Sequence, residues 1–475
     1  MAIGKVCRYF LSSRSLFGFL CAATIVLSGT PPHMAAQAER PNFLIFLTDD
    51  QGYGDVGCYG ATDFRTPNMD SLAAAGARFT NWYSNAPVCS ASRASLLTGR
   101  YPHRAGAPGI FSSGRNAPGM PIDEVTLAEI LRSAGYRTGL VGKWHLGGAP
   151  EQRPNRQGFD DFFGFHSGCI DNYSHIYYWG QAGAGGRVPF HDLWRNDTEI
   201  WENGQYFSEL VTREAVRFIA ENHSRPFFLY VAYNLPHYPN HAPPRYYERF
   251  SHITDSQRKS QAVTVAAVDD SMGEIMSELR RTGLIERTVI FFTSDNGPSA
   301  EKRNLLDDSD QTYHGGSAGP FRGYKGGLFE GGIRMPALMS WAGKIPKRQV
   351  ITNLGITMDI FPTFLNLAGC RLPAGRTIDG RDIYEMAARG GESPHAHEPI
   401  FWAYGDQRAV RRDNWKLLLN ARLNFDDKVD DRIFLCDLAA DPGERMNLAV
   451  ENPQLVRELI QLIEAWEKDV MGRKN

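Results

Sequence analysis

The sequence predicts an α/β fold: a large, mostly parallel sheet sandwiched by helices, followed by a smaller C-terminal α+β domain built on an antiparallel sheet. Three observations predict it. Apolar runs without polar alternation, such as "NFLIFLTDD" and "RTVIFFTSDNG", read as strands buried on both faces. Helical patterns separate these runs, the order that builds parallel strand pairs. Beyond about Leu372 the character changes to short alternating strands broken by turns.

In chain order, the first feature is a run of Lys5, Arg8 and Arg14, an apolar stretch from Leu16 to Leu27, and the small residues Ala36-Gln37-Ala38. This is the pattern of a secretory signal peptide over residues 1–38, and it predicts an exported protein, periplasmic or secreted. The stretch is shorter than the ~20 apolar residues a membrane span needs, and no other segment is apolar enough. Those 38 residues hold three basic and no acidic side chains, so the remainder has 48 basic against 53 acidic residues and a formal charge of −5. Such a balance does not suggest a nucleic-acid partner. Five cysteines remain, Cys58, Cys89, Cys169, Cys370 and Cys436, an odd number without metal-type spacing that allows at most two internal disulfides.

Residues 39–372 are expected to form the catalytic α/β domain. Its first strand stops at Asp49-Asp50. "GYRTGLVGKWHLG" delivers Lys143 and His145, which point the same way if the backbone stays extended. "RPFFLYVAYNLPHYP" runs from Phe227 to Val231 and reaches His237, and "RTVIFFTSDNG" stops at Asp295-Asn296. Helices are expected over Asn68–Phe79, Asp123–Tyr136 and Ala262–Gly283, each ending near glycine. Ligands of open parallel sheets sit outside the carboxyl ends of the strands, so four strands bring these polar groups to one edge. Residues 373–475 make the second domain, closed by the amphipathic helix "NPQLVRELIQLIEAWEKDV".

Asp49, Asp50, Asp295 and Asn296 offer oxygen ligands alone, which suits a hard divalent cation, Ca2+ in preference to Mg2+, where zinc would recruit nitrogen or sulfur. Lys143, with Arg322 and Lys325 in the glycine-rich "GPFRGYKGGLFEGG", adds positive charge. Metal and cations together describe a pocket for a tetrahedral oxyanion, phosphate or sulfate. "CSASRASLLTG" reads as a helix start with Cys89 at the positive end and Arg93 one turn on, which predicts an activated thiolate. The segment Phe165 to Trp194, with His166, Asp171 and His175, is rich in His, Tyr and Trp. It is expected to line the substrate pocket, the alternative being a packed surface loop.

These residues together resemble a known family. "CSASR" from Cys89 with "LTGR" ending at Arg100, "TDDQGYGD" from Thr48, "VGKWHLG" from Val141 and "FTSDNG" from Phe292 are similar to the type I, formylglycine-dependent sulfatases, of the alkaline-phosphatase-like superfamily. The layout looks most like the glycosaminoglycan and polysaccharide sulfatases, and the likeness runs from about Pro41 to the C-terminus. The resemblance implies that Cys89 is oxidised to formylglycine, whose hydrated aldehyde is the nucleophile. It implies one Ca2+ held by Asp49, Asp50, Asp295, Asn296 and the formylglycine oxygen at position 89. Arg93 would hold the hydrate, Lys143 and Lys325 would bind sulfate oxygens, and His237 would protonate the leaving alcohol. His145 would take the proton whose loss expels sulfate. Ala91 stands where many members carry proline, so the maturation enzyme must tolerate alanine; Leu235 stands where Ala or Thr commonly precedes Pro-His.

The expected function is therefore removal of sulfate from a sulfated carbohydrate. Two alternatives stand beside it: a phosphoester hydrolase of the same superfamily, which would favour two zinc ions with histidine ligands, and a noncatalytic sulfoglycan-binding protein if Cys89 is never converted.

Overall fold

The structure, a computed structural model, describes residues 40–178, 189–301 and 311–472; the expected signal peptide lies outside them. Among these residues no helix is long and apolar enough to cross a membrane.

The labelled strands of the main sheet are β1 (Asn42–Asp49), β2 (Ala77–Tyr83), β3 (Arg137–Lys143), β4 (Asp161–Phe165), β5 (Phe227–Pro236), β6 (Thr288–Ser294) and β7 (Arg334–Ser340). Its centre is parallel in the order β6-β1-β5-β3-β4, and β7 then runs antiparallel between β6 and β2. Short strands at Gln349–Ile351, Gly355–Ile356, Trp194–Arg195 and Thr198–Glu199 extend the two edges. β1 is buried along its whole length between β5 and β6, which is why its sequence shows no alternation.

The labelled helices are α1 (Pro67–Ala75), α2 (Cys89–Thr98), α3 (Leu127–Ser133), α4 (Phe207–Glu221) and α5 (Ser256–Arg281). Leu44 and Phe46 of β1 pack in one core layer with α4 and α5, while Phe43, Ile45 and Leu47 pack in the other with α2 and α3. Each such side chain contributes about 1.5–3 kcal/mol by burial, so the two-sided core fixes the sheet edge to which the polar residues are attached.

Helix bounds differ from the sequence expectations for local reasons. The expected Asn68–Phe79 helix ends at Ala75, because Gly76 passes so close to β7 that a Cβ would lie 2.2 Å from the Met339 carbonyl oxygen; the chain then enters β2. α3 starts only at Leu127, where Thr126 and Glu129 form a reciprocal capping box. α5 starts earlier than Ala262, capped by Asp255 accepting from the Arg258 amide at 2.6 Å.

Toward the C-terminus, β8 (Ile400–Tyr404), β9 (Gln407–Arg412), β10 (Trp415–Leu419) and β11 (Ile433–Asp437) form an antiparallel meander. Helix α6 (Pro453–Met471) covers it with Leu459, Ile463 and Trp466. The meander is joined to the main sheet by polar contacts that are fully buried. Lys416 Nζ lies 2.9 Å from both Glu330 Oε1 and Glu444 Oε1, and all three side chains have no exposed surface. The Tyr83 hydroxyl donates to Glu330 at 2.5 Å, and the Trp402 indole donates to the Ser84 carbonyl at 2.7 Å. The cysteines Cys58, Cys89, Cys169, Cys370 and Cys436 are all unpaired as thiols, so neither of the two disulfides the count allowed is formed.

Candidate active site

The site is built where β1 and β6 end side by side. Successive residues of a strand point to opposite faces, yet Asp49 and Asp50 converge, because Asp50 adopts a left-handed φ of 64° that turns the chain out of the strand. β6 brings Asp295 and Asn296 alongside: the Asn296 amide donates to Asp50 Oδ1 at 2.7 Å, and Asp295 Oδ1 accepts from the Asp50 amide at 3.2 Å. The three carboxylates are at most 2 % exposed. Burial, reinforced by Asp49, Asp295 and Glu301 and opposed by Lys325, pushes Asp50 up to about 7.

Three cations answer the three carboxylates. Arg93 donates to Asp295 Oδ2 from Nε and Nη2 at 3.1 and 2.8 Å. Lys143 Nζ lies 2.5 Å from Asp49 Oδ2, and Lys325 Nζ lies 2.9 Å from Asp50 Oδ2. Two buried oxygens, Asp49 Oδ1 and Asn296 Oδ1, accept no hydrogen bond. Unsatisfied buried acceptors are costly, and together with an all-oxygen donor set they fit a hard dication. Asp49, Asp50 and His237 each place one ligand atom within 4.8 Å of the others, so an imidazole nitrogen also stands within reach.

Cys89 opens α2 at its first helical position and is 3 % exposed. It lines a cavity of about 290 Å3 with Ser113, His145, Cys169, His237, Glu301 and Lys325. The expectation of an activated thiolate is corrected: burial raises the Cys89 thiol, outweighing the attraction of Lys143 and Lys325. Arg93 makes its hydrogen bonds to Asp295 and the Lys143 carbonyl.

The two histidines are both held in one tautomer. His237 Nδ1 lies 2.7 Å from the Tyr238 carbonyl and so carries the proton, leaving Nε2 3.8 Å from Asp50 Oδ2. His145 Nε2 lies 3.3 Å from the Phe111 carbonyl, and its Nδ1 is buried without a hydrogen bond. Burial, then Lys143 and Arg93, hold His145 well below the usual histidine range; burial, then Lys325 and Lys143, do the same to His237. The expected extended run from Lys143 to His145 is not found. β3 ends at Lys143, and His145 has a left-handed φ of 53°.

The family described as Sulfatase matches residues 41–370. The chain belongs to the sulfatase family. A second match, described as N-sulphoglucosamine sulphohydrolase, C-terminal, covers residues 323–469 of this sulfatase. It is 37% identical over 402 residues to the N-acetylgalactosamine-6-sulfatase of Mus musculus, covering 80% of this chain and 72% of that one. It is 34% identical over 462 residues to the arylsulfatase A of Homo sapiens, covering 90% and 88%. The crystal structure of Ps i-CgsB in complex with k-i-k-neocarrahexaose superposes with a TM-score of 0.80 at 31% identity, covering 90% of this chain and 92% of that one. The protein is a sulfatase, an enzyme that hydrolyses sulfate esters.

Four other residues expected at the sulfatase pocket lie elsewhere. Arg322 donates to the Glu444 carbonyl at 2.9 Å and stacks over Phe329 and Phe434, pinning the C-terminal domain. His166 is packed against Phe162 and Trp194, Asp171 closes a turn by accepting from the Ser174 and Tyr173 amides, and His175 meets the Gln205 carbonyl at 3.1 Å. The same segment does reach the cavity, through Gly168, Cys169 and Tyr177; its residues 179–188 lie outside the described residues. Sequence reasoning missed Glu301, which stands in the cavity wall 3.2 Å from Lys325 and accepts from the Tyr238 hydroxyl at 2.8 Å. Burial opposes its charge, but Lys325 and His237 outweigh burial and hold its carboxyl below the usual range. The signal was the spacing: it lies five residues beyond Asn296 in "SDNGPSAE".

A carboxylate facing an anion pocket has an electrostatic consequence. Glu301, together with the Tyr238 carbonyl, raises the proton affinity of His237 against Lys325 and Lys143. Glu301→Gln is therefore expected to lower kcat by about tenfold without raising KM, because the pocket becomes more positive while His237 is harder to protonate. Steady-state kinetics on a sulfate ester checks this, and a raised KM with unchanged kcat would refute it.

Proposed function

We propose that the protein removes sulfate from a sulfated carbohydrate of glycosaminoglycan or polysaccharide type, using a formylglycine made from Cys89 and one Ca2+. The observation that carries the reading is Cys89 itself, on the cavity wall beside two histidines and Lys325, with the carboxylate cage around Asp49 and Asp50 adjoining. The carbohydrate follows from the names of similar proteins, which include an N-acetylgalactosamine-6-sulfatase and a structure bound to a neocarrahexaose.

Asp49, Asp50, Asp295 and Asn296, with position 89, would hold the Ca2+, which supplies charge that makes a bound oxygen more acidic and the sulfuryl group more electrophilic. The formylglycine form of residue 89 supplies a hydrated aldehyde, whose two hydroxyls let one attack sulfur and the other assist release. Lys325, on the cavity wall, and Lys143 would bind the sulfate oxygens and offset the charge that spreads over them. His237 would be the general acid: burial and the two lysines keep it neutral before substrate binds, and the negative charge of a bound sulfate ester would favour the second proton, on Nε2, that it gives to the departing alcohol. His145 Nδ1, with no competing hydrogen bond, accepts the proton lost when sulfate leaves. Arg93, 2.8 Å from Asp295 and 3.7 Å from Asp49, would hold the hydrate while keeping these carboxylates in place.

Residues 1–38 act as an export leader in this reading, placing the enzyme in the periplasm or outside the cell, and a boundary near Leu372 divides the catalytic domain from the C-terminal one. Cys89 is converted by a maturation enzyme that accepts Ala91. Mass spectrometry of the Phe79–Arg93 peptide, paired with sulfate and phosphate ester assays, tests the proposal. The expected result is an aldehyde in place of the thiol and preference for sulfate. An unmodified thiol in a host with an alanine-tolerant maturation enzyme, or preference for phosphate with bound zinc, would overturn it.

A further inference from the structure

A second depression adjoins the cavity that holds Cys89. It measures about 650 Å3 and shares Ile110 and Phe425 with that cavity as a common wall. Its floor includes Gly326, the residue after Lys325, and the Gln407 amide donates to the Gly326 carbonyl at 2.8 Å. The groove is thus formed jointly by the Lys325 loop and the turn between β8 and β9.

The lining combines apolar faces with charged side chains. Tyr404 and Phe425 present rings 6.2 Å apart at 74°, and Ile110 is 46% exposed, an unusual exposure for isoleucine. Among these apolar faces Arg422 donates to Asp406 Oδ1 at 2.8 Å and to the Phe425 carbonyl at 3.4 Å. Arg422 is 25% and Asp406 54% exposed, so free donors and acceptors of the pair still face solvent. Aromatic faces with an acceptor and a donor side by side match a sugar ring: its C–H faces lie on the rings, and its hydroxyls meet the carboxylate and guanidinium. A lone sulfate or carboxylate matches less well, because Asp406 already neutralises Arg422 and Glu467 neutralises Arg408, the other arginine of the lining.

The cavity at Cys89, near the lower end of the ~300–1,000 Å3 range of small-molecule pockets, takes a single sulfated unit. We propose that the neighbouring groove is a binding site for the next sugar along the chain, so that the enzyme recognises an oligosaccharide and reads it through Asp406 and Arg422. This rests on the sulfatase reading given above and deepens it.

The test compares three probes: 4-nitrophenyl sulfate, sulfated monosaccharides, and tetrasaccharides cut from chondroitin 6-sulfate, carrageenan and fucoidan. The wild-type enzyme is expected to turn over at least one tetrasaccharide about tenfold better in kcat/KM than its monosaccharide. In Asp406→Ala and Arg422→Lys, the ratio of tetrasaccharide to 4-nitrophenyl sulfate turnover should fall about tenfold. Asp406 lies on an exposed turn, so that variant keeps the test available if Arg422→Lys disturbs folding. Unchanged ratios in folded variants, or turnover of 4-nitrophenyl sulfate with no tetrasaccharide desulfated, would overturn the groove and leave the sulfatase reading standing. Failure to release sulfate from any probe, with position 89 shown to be converted, would overturn the sulfatase reading itself.

Discussion

Cys89→Ala abolishes sulfate-ester turnover, by at least about 10^4-fold in kcat, while the protein folds and keeps its cation. The size of the effect follows from what surrounds the residue. In the formylglycine reading residue 89 alone supplies the nucleophile, and the nearby thiol of Cys169, on the same cavity wall, is itself raised by its burial and so kept from acting as a thiolate. The fold survives because the change removes one sulfur atom from a side chain already 3 % exposed, a cavity cost of about 1 kcal/mol or less. Circular dichroism and thermal melting of the variant, with kinetics on 4-nitrophenyl sulfate, check both halves. Substantial remaining activity in the folded variant would remove residue 89 from the nucleophile role.

Removal of the divalent cation by a chelator should cost activity far more than stability. Lys143 and Lys325 reach the oxygens Asp49 Oδ2 and Asp50 Oδ2 that a cation would also use. Without the cation these ion pairs neutralise the cage and hold it together, and for the same reason the ammonium groups are withdrawn from substrate. The expected result is a loss of at least about 100-fold in kcat/KM, restored by Ca2+, with a melting temperature that rises as Ca2+ is added, since a ligand bound only by the folded state stabilises it. Full activity in a chelated, metal-free sample would refute the assignment of the cage.

The strand ends were the legible part of this site. Asp49, Asp50, Asp295 and Asn296 follow unbroken apolar runs, and such runs in a parallel sheet must finish at the same edge, so their meeting was readable from order alone. What was not readable depended on the backbone leaving the strand. The left-handed turn at His145 breaks the two-residue alternation that seemed to align it with Lys143, and nothing in "VGKWHLG" marks it. The thiol of Cys89 illustrates a competition of opposed terms: a helix start and two lysines favour the thiolate, but complete burial decides the sign. Residue type misled at Arg322 and His166, since an arginine in a glycine-rich loop and a histidine among aromatics serve packing as readily as binding. Glu301 was missed although it stands five residues beyond Asn296, because its role comes from the Lys325 and Tyr238 side chains it meets, and both are distant in sequence.

The buried contact of Lys416 with Glu330 and Glu444 carries a consequence for how the molecule comes apart. Glu330 belongs to the segment that follows the Lys325 loop, whereas Lys416 and Glu444 belong to the C-terminal meander and its following turn. Peeling the meander from the main sheet separates these buried partners, and breaking a buried ion pair by removing one partner costs about 3–5 kcal/mol. The meander and the main sheet therefore melt in one cooperative step, and a chain shortened at the end of the main sheet loses Lys416 and Glu444 from this contact, leaving Glu330 to Arg334, 3.1 Å away, and to Tyr83.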